Sequence, residues 1–300
     1  MRFHWLINLM RFKGLDKLKE KLPKYLGWRI VGIGLLILLA FSIALTLMVF
    51  VDSVARIFPH MTVLVLIEPI LPVLGVFLCE LIAFRLIWGV WHNRDRYVAE
   101  FGELAYQKAI PRGVFGVSWI FAICIHIYAP LDTLPAGTPI NPITTMLSRS
   151  LLSFLGLPVG FDFTIRIVLS LIIIIIGLLT IRSALLTFGF DYMALVYLYF
   201  PAESRIQKHE IYSVIRHPTY FGLLSIAMGG LWLHFSIYSL VLFFMFLFGL
   251  LAHIFLVEEK ELQDRFGESF IEYRQNVPAL YIRLRDLHIY IRFLIMRETE

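Results

Sequence analysis

The chain has 300 residues, of which 59% are hydrophobic and 16% are charged, with a mean hydropathy of +0.78 and a formal net charge of +5. This composition exceeds what a soluble domain tolerates and indicates an integral membrane protein. The basic residues gather at the ends of apolar segments, which favours contact with lipid headgroups over binding of nucleic acid. The two cysteines, Cys79 and Cys124, lack the spacing of a disulfide framework or a zinc site.

The first 28 residues interleave bulky apolar side chains with lysines and arginines. This mixture predicts a basic amphipathic segment, 1–28, that lies in the headgroup plane. No small-residue cleavage site follows an apolar core, so we do not expect a removed signal peptide.

Apolar runs follow that are long enough for helices to cross a hydrocarbon core, which takes roughly 20 residues. The predicted spans are 29–51, 61–91, 113–130, 165–188, 218–234 and 236–257. A polar linker is expected at 92–112, and an extracytoplasmic loop at 131–164 with a short interfacial helix near 145–155. The fold class predicted is all-α: a polytopic membrane protein with about six transmembrane helices.

The second and third spans carry ionisable residues that need an explanation. Glu68 or Glu80 could line a polar cavity. The ordinary expectation is that Glu80 pairs with Arg85 or a neighbouring helix, and that Glu68 lies near the outer headgroups. His126 is expected to hydrogen-bond a neighbour, because no second metal-binding side chain stands three or four residues away.

Basic residues cluster in four segments: the N-terminal 28 residues, the linker, the turn at 205–216 and the tail after Arg265. With six spans, all four fall on the same side of the membrane. The positive-inside rule then predicts that both termini and the polar turn are cytoplasmic.

A polar turn and a late carboxylate pair flank the last two spans, which form a helical hairpin. Pro218 suits a first helical turn, so Arg216 and His217 are predicted at the N-terminal end of a helix, called its mouth below. The free backbone N–H groups at such an end attract a carboxylate. Tyr220 stands one turn on, on the same side as His217. A span out and a span back return the chain to the same depth at Glu258. An imidazole, an aromatic face and a carboxylate should therefore converge.

These residues resemble a motif of the membrane methyltransferases in the isoprenylcysteine carboxyl methyltransferase and phospholipid methyltransferase group. That pattern is a Tyr five residues before a His, then Arg-His-Pro-x-Tyr-x-Gly, a hairpin, Glu-Glu-x-x-Leu, Phe-Gly, and a Tyr before Val-Pro. The matching positions are Tyr212, 216–222, Glu258, Glu259, Leu262, Phe266, Gly267, Tyr273, Val277 and Pro278. The resemblance covers about the last 90 residues, and the common soluble cofactor motifs are absent from the chain.

The resemblance implies an integral membrane methyltransferase that uses S-adenosylmethionine and acts on a lipophilic or membrane-associated acceptor. Such an acceptor is a prenylcysteine-like carboxylate, a phospholipid amine or a thiol. The cofactor contacts that it implies are Tyr212, His217, Pro218, Thr219, Tyr220 and Glu258. Catalytic roles fall to Arg216, His217 and Glu259, and no metal is expected. The predicted regions are then the segment 1–28, a four-span region 29–188, a methyltransferase core 189–282 and an amphipathic tail 283–300.

The chain departs from the pattern at several positions. Isoprenylcysteine enzymes have an Arg four residues before the first Glu, where this chain has Ile254. The adjacent His253 is expected to project from a different face of the helix. Without the Arg fork a carboxyl acceptor loses its bidentate partner, which disfavours prenylcysteine methylation. Glu210 replaces the usual Gly seven residues before the His, and Phe270 replaces a frequent Tyr.

Two other functions remain open at this point. Membrane reductases of the sterol or 5-alpha-reductase type resemble this sequence in His-Pro-x-Tyr-x-Gly and bind NADPH. Those enzymes usually have an acidic residue after that Gly, whereas this chain has Leu223. A non-enzymatic scaffold or transporter is the third alternative, since each motif residue could by itself serve only packing or headgroup anchoring.

Overall fold

The computed structural model describes residues 13–25, 29–132 and 137–295. Within these ranges every regular secondary-structure element is a helix. The α-helices are numbered in chain order. They are α1 Leu15–Glu20, α2 Arg29–Ile57, α3 Thr62–Ile67, α4 Leu71–His92, α5 Arg94–Phe101, α6 Ala105–His126, α7 Pro142–Ser148, α8 Val159–Phe188, α9 Phe190–Met193, α10 Val196–Tyr199, α11 Pro218–His234, α12 Ile237–His253, α13 Glu259–Phe266, α14 Glu268–Asn276 and α15 Leu287–Ile295.

Five of the described helical stretches are long and apolar enough to cross a membrane: Val31–Ile57, Thr62–His92, Arg94–His126, Val159–Phe188 and Ile237–Phe266. Helix α11 is apolar but has only 17 residues, at the lower end of what can span. It packs between α8 and α12. The chain is an integral membrane protein, and the prediction of an all-α polytopic fold is confirmed.

The segment predicted as a polar linker, 92–112, is mostly helical. Helix α5 occupies its first part, and α6 begins at Ala105 and runs through Pro111. The chain turns between the two helices at Gly102, whose φ of +53° favours glycine. The polar composition therefore did not distinguish a linker from a helix. A helix near the headgroups keeps its backbone hydrogen bonds while it exposes charged side chains.

The predicted interfacial helix near 145–155 is present as two shorter pieces. Helix α7 covers Pro142–Ser148, with Asn141 capping its first turn, and a 3₁₀ helix covers Leu151–Leu155. The expected hairpin also forms: Phe235 has a φ of +44°, and Ser236 and Ser239 form a reciprocal capping box that starts α12.

Glu68, which was expected near the outer headgroups, is fully buried by neighbouring parts of the protein. Its carboxylate is 3.1 Å from Nε of Arg56 and accepts the backbone N–H groups of Ile140 and Asn141. A buried carboxylate is stable only when paired and hydrogen-bonded in this way. His126 is hydrogen-bonded as expected, with Nε2 2.6 Å from Oδ2 of Asp52.

Glu80 is buried, and among the described residues it makes no ion pair, so the expected partnership with Arg85 is absent. The guanidinium of Arg85 instead lies 5.2 Å from the ring of Trp88. Oε1 of Glu80 has no hydrogen-bond partner and points toward the backbone of Gly249 on α12.

Part of the predicted amphipathic segment, residues 1–12 and 26–28, lies outside the described residues. The described part packs on the segment that follows α8, residues 189–204, which is called the connector below. Lys17 and Lys21 lie 2.7 and 2.6 Å from the carboxylate of Glu203, and Lys13 donates to the carbonyl of Thr187. Leu18 is buried in the same contact. The described part of the segment therefore packs against the connector and stabilises it.

Helices α8 and α11 are in close backbone contact at Gly177 and Gly222. A Cβ on Gly177 would lie 2.7 Å from the carbonyl oxygen of Gly222. We therefore expect Gly177→Ala to destabilise the protein by about 1–3 kcal/mol through overpacking. The measurement is thermal unfolding in detergent. Gly34→Ala is the matched control, because Gly34 has no atom within 4 Å of an added Cβ; equal midpoints for the two variants would contradict the close packing.

Candidate active site

The mouth of α11 is closed by a returning segment of the chain. The backbone N–H groups of Arg216 and His217 donate to the carbonyls of Pro278 and Ala279 at 2.9 and 3.2 Å. These two donors are therefore occupied, contrary to the prediction that they are free. The N–H groups of Thr219, and of Tyr220 after it, make no hydrogen bond with the described residues, as expected for a first helical turn.

A buried ion cluster lies behind this mouth, centred on Glu259. Its Oε1 is 2.6 Å from Nη2 of Arg216 and 3.0 Å from Nε2 of His217. Arg216 also donates to the carbonyls of Arg274 and Val277. All three charged side chains at the centre are less than a tenth exposed. One carboxylate thus joins α13 to the mouth of α11, and Arg216 extends the connection to the end of α14.

His217 lies between two carboxylates. Its Nδ1 is 3.6 Å from Glu258 and its Nε2 is 3.0 Å from Glu259. Burial opposes a charge on the ring, but the hydrogen bonds and charges of the two carboxylates outweigh it and raise the pKa of His217. The two carboxylates therefore favour the protonated ring and engage both of its nitrogens.

This raised pKa predicts a pH-dependent stability. The stabilisation from His217 is complete below the unfolded histidine pKa of about 6.5 and is lost as the pH rises through the higher folded value. We expect the thermal midpoint of the wild type to fall as the pH rises from about 6.5 through the folded pKa, and His217→Asn to flatten the dependence. Thermal scans from neutral to alkaline pH measure it. A variant that keeps the wild-type slope would assign the effect to another group.

The carboxylate of Glu258 contacts the Nδ1 side of His217, opposite Glu259, and lines the adjacent cavity. Residues Ile254–Glu258 form one π-helical turn between α12 and α13, a feature that often marks functional sites. Successive helical residues point about 100° apart, so Glu259 turns to Arg216 while Glu258 lines the adjacent cavity. Oε2 of Glu258 is buried and has no hydrogen-bond partner among the described residues.

A cavity of about 290 Å³ opens beside the mouth of α11. One part of its wall is polar and comes from the chain after residue 204. The lining residues of this part include Arg205, Gln207, Tyr212, Arg216, His217, Thr219, Tyr220, Glu258, Glu261 and Arg265. The other part is largely apolar and comes from α4, α6, α8 and the connector. It includes Ile87, Trp91, Val117, Ile120, Phe121, Ile181, Phe188, Met193, Leu195 and Leu198.

The structure brings all six predicted cofactor residues to this cavity, together with Arg216. Glu259, predicted as catalytic, lies behind the wall and does not line it. Burial raises the pKa of Tyr212, so its phenol stays neutral. The hydroxyl of Tyr273 donates to the carbonyl of Tyr212 at 2.6 Å, which fixes the turn against α14.

Two residues that sequence reasoning did not assign to the site belong to it. His253 was expected on a different face of the helix from Ile254, and it lines the cavity together with Glu258, whereas Ile254 does not. The π turn adds a residue to the helical repeat and so changes which side chains share a face. Trp91, from α4, carries no motif, and its only sequence signal is its place in an apolar run.

Glu210, which stands where the resembling enzymes have Gly, has a φ of +50°. This region of backbone conformation favours glycine. The Glu210 carboxylate accepts the hydroxyl of Thr187 at the end of α8. That contact offsets part of the strain and joins the turn to the preceding span.

Comparison with known proteins places this geometry in context. Residues 165–269 match the phospholipid methyltransferase family. The matched segment runs from α8 to the start of α14 and contains the mouth of α11, the hairpin and both carboxylates. The predicted resemblance to the isoprenylcysteine and phospholipid methyltransferase group is thereby confirmed.

Curated relatives agree with the family match. The chain is 32% identical over 110 residues to protein-S-isoprenylcysteine O-methyltransferase of Saccharomyces cerevisiae, which is 37% of this chain and 46% of that protein. It is 27% identical over 109 residues to protein-S-isoprenylcysteine O-methyltransferase B of Arabidopsis thaliana, which is 36% of this chain and 55% of that protein. The similarity thus spans about half the length of these relatives. No solved structure matches the chain.

Proposed function

We propose that this protein is a membrane methyltransferase that takes its methyl group from S-adenosylmethionine and transfers it to a lipophilic acceptor. The observation that carries the proposal is the buried Oε2 of Glu258, which has no hydrogen-bond partner in the part of the chain that the structure describes and borders the cavity formed with Tyr212 and Tyr220. A buried carboxylate oxygen without a partner is costly, and a ligand that donates a hydrogen bond to it removes that cost.

The groups around the polar part of the cavity suit the parts of this cofactor. Glu258 would accept the ribose hydroxyls, which are hydrogen-bond donors. The backbone N–H groups of Thr219 and Tyr220, at the start of α11, would bind the carboxylate of the amino acid part. The faces of Tyr212 and Tyr220 would lie near the sulfonium, whose positive charge is attracted by aromatic rings.

When bound, S-adenosylmethionine supplies an electrophilic methyl group on a sulfonium. The protein's contribution is to hold donor and acceptor in line and to exclude water. We assign Arg216, His217 and Glu259 to this positioning, since their mutual ion pairs lock the mouth of α11 to α13. His217 holds the carboxylate of Glu258 toward the cavity, 3.6 Å from its own Nδ1.

The apolar part of the cavity fits the acceptor. Its wall is formed by side chains of α4 and α6, such as Ile87, Val117 and Phe121, and of α8. Val117 and Phe121 are also more than 40% exposed on the outside of the helices. An acceptor with an apolar body can therefore enter from the bilayer beside α6, while a soluble acceptor would gain little from this wall.

We further propose that the cofactor mouth and both termini face the cytoplasm. The segment after Lys13 packs on the connector after α8, and Arg94 lies 3.7 Å from Glu261. These contacts hold three of the basic segments at one end of the helices. The positive-inside rule then assigns that end to the cytoplasm.

Calorimetric titration of the purified protein tests this function. S-adenosylhomocysteine should bind with an affinity in the micromolar range or tighter, and NADPH should not bind. The comparisons lend no support to the reductase alternative, and NADPH titration tests that alternative directly. If NADPH binds tightly the protein is a reductase, and if neither ligand binds the scaffold or transporter alternative is favoured.

A further inference from the structure

We propose that His253 is the base of the acceptor site and that the acceptor is a nucleophile that must lose a proton, namely an amine, thiol or phenol. This inference rests on the proposed methyltransferase function. It adds a residue that the sequence motif does not include, and it selects one chemical class of acceptor.

His253 lies where the polar and apolar parts of the cavity meet. Its ring centroid is 5.2 Å from that of Trp91 on one side and 6.2 Å from that of Tyr220 on the other. Phe84 packs on it at 6.1 Å. The side chain is 95% buried but still lines the cavity, so the ring is fixed by aromatic packing and borders the space for a ligand.

Neither ring nitrogen of His253 makes a hydrogen bond with any described residue. Neither nitrogen is among the fully buried, unpartnered polar atoms of the described residues, so both keep some accessible surface, and the side chain lines the cavity. His126 differs, because its Nε2 is bonded to Asp52 and its Nδ1 is fully enclosed. The unpaired ring of His253 therefore points to a ligand that supplies the missing partner.

The π turn explains how His253 reaches the cavity. In a regular α-helix, residues five apart point about 140° away from each other. A π turn bonds residues five apart, and here it places His253 and Glu258 on the same cavity wall. Ile254 is completely buried and points elsewhere, so α12 offers an imidazole to the acceptor and no guanidinium to bind a carboxylate.

His217 is poorly suited to take a proton from the acceptor, because both of its nitrogens already face carboxylates. Tyr220 and Glu258 belong to the donor side of the cavity. Glu80 lies on the same face of α4 as Phe84 but does not line the cavity. Among the titratable groups that face this space, His253 is thus the one with free nitrogens beside the apolar wall.

The reaction step balances as follows. The lone pair of the acceptor atom forms the bond to the methyl carbon while the carbon–sulfur bond breaks and its electrons return to sulfur. The proton of the acceptor atom passes to a ring nitrogen of His253, and from there to water at the cavity mouth. No oxidant or reductant is needed.

Four acceptors with the same alkyl chain test the inference: decylamine, decanethiol, 4-decylphenol and decanoate. Transfer is measured with methyl-labelled S-adenosylmethionine and protein in lipid nanodiscs. We expect at least one of the first three to be methylated faster than decanoate. His253→Phe, which keeps the aromatic packing, should lower that rate by about 10²–10⁴-fold and leave S-adenosylhomocysteine binding unchanged.

A second readout does not depend on turnover. Binding of 4-decylphenol to the S-adenosylhomocysteine complex should weaken by up to about tenfold in His253→Phe, which loses one hydrogen bond. His253→Gln keeps an acceptor atom but no base, so it should bind the phenol nearly as well as wild type and still lose transfer. His92→Phe, on the exposed end of α4, is the matched control and should behave as wild type.

The outcomes distinguish a failure of the His253 assignment from a failure of the proposed methyltransferase function. Absence of S-adenosylhomocysteine binding overturns the methyltransferase itself. With that binding present, the assignment of His253 is overturned by preferred methylation of decanoate, by wild-type rates in His253→Phe, or by no transfer to any of the four acceptors.

Discussion

Glu259→Ala is expected to destabilise the protein by about 3–5 kcal/mol, the largest effect on stability that we predict. Removal of one partner from a buried ion cluster leaves the remaining charges uncompensated in a medium of low polarity. Here the substitution would leave two side chains without this carboxylate partner. They are Arg216, whose Nη2 is 2.6 Å from the carboxylate, and the ring of His217. Thermal or denaturant unfolding in detergent measures the loss.

Glu272→Ala is the matched control for this substitution. Glu272 lies 3.9 Å from Lys208, and its side chain is 73% exposed. An exposed pair contributes about 0–1 kcal/mol, so the control should unfold close to wild type. Similar stabilities of the two variants would show that the cluster around Glu259 is not the connection between α11 and α13 that its geometry indicates.

Glu258→Gln is expected to weaken S-adenosylhomocysteine binding by about 10- to 100-fold while the fold remains intact. The substitution keeps the size of the side chain but replaces a charged acceptor with a neutral amide, and hydrogen bonds to charged groups contribute about 1.5–3 kcal/mol. The orphaned Oε2 of Glu258 makes few contacts that the fold would lose. Calorimetry measures the affinity, and a thermal scan verifies the fold.

Glu261→Gln separates a direct contact from a general effect of charge. Glu261 also lines the cavity, but it forms an ion pair with Arg265 one turn along α13. We expect its replacement to change the affinity by less than about threefold, since such pairs contribute little. Wild-type affinity in Glu258→Gln, or equal losses in both variants, would mean that the ribose is bound elsewhere.

Much of the membrane architecture could be predicted from the sequence, because apolar length alone identifies a span. Helix α11 was predicted with its observed bounds, since Pro218 and the turn at Ser236 are strong local signals. The segment 92–112 was predicted wrongly, because a polar interfacial helix and a linker have the same composition. The burial of Glu68 could not be foreseen, since its partner Arg56 comes from the preceding helix and its other donors follow residue 137.

The residues of the candidate site could likewise be predicted only in part from the sequence. The convergence of His217 and Glu258 follows from two spans of similar length, and the structure brings them within 3.6 Å. Which face each residue of 253–259 occupies does not follow from composition, because a single extra residue in a π turn changes the facing. His253 was expected on a different face from Ile254, and the structure agrees, since His253 lines the cavity while Ile254 is buried away from it.

The wall of the cavity is built from two stretches of the chain, one before residue 165 and one largely within the matched segment. The polar wall lies in the chain after residue 204, whereas Ile87, Trp91 and Phe121 precede the matched segment altogether. A chimera that joins residues 1–164 of this chain to the matched segment of a relative would therefore keep a methyl-donor site of the relative's kind. Its acceptor site would combine Ile87, Trp91 and Phe121 of this chain with the relative's residues at the positions of Ile181 and His253. A choice of acceptor that differs from the relative's would therefore assign that specificity to the first half.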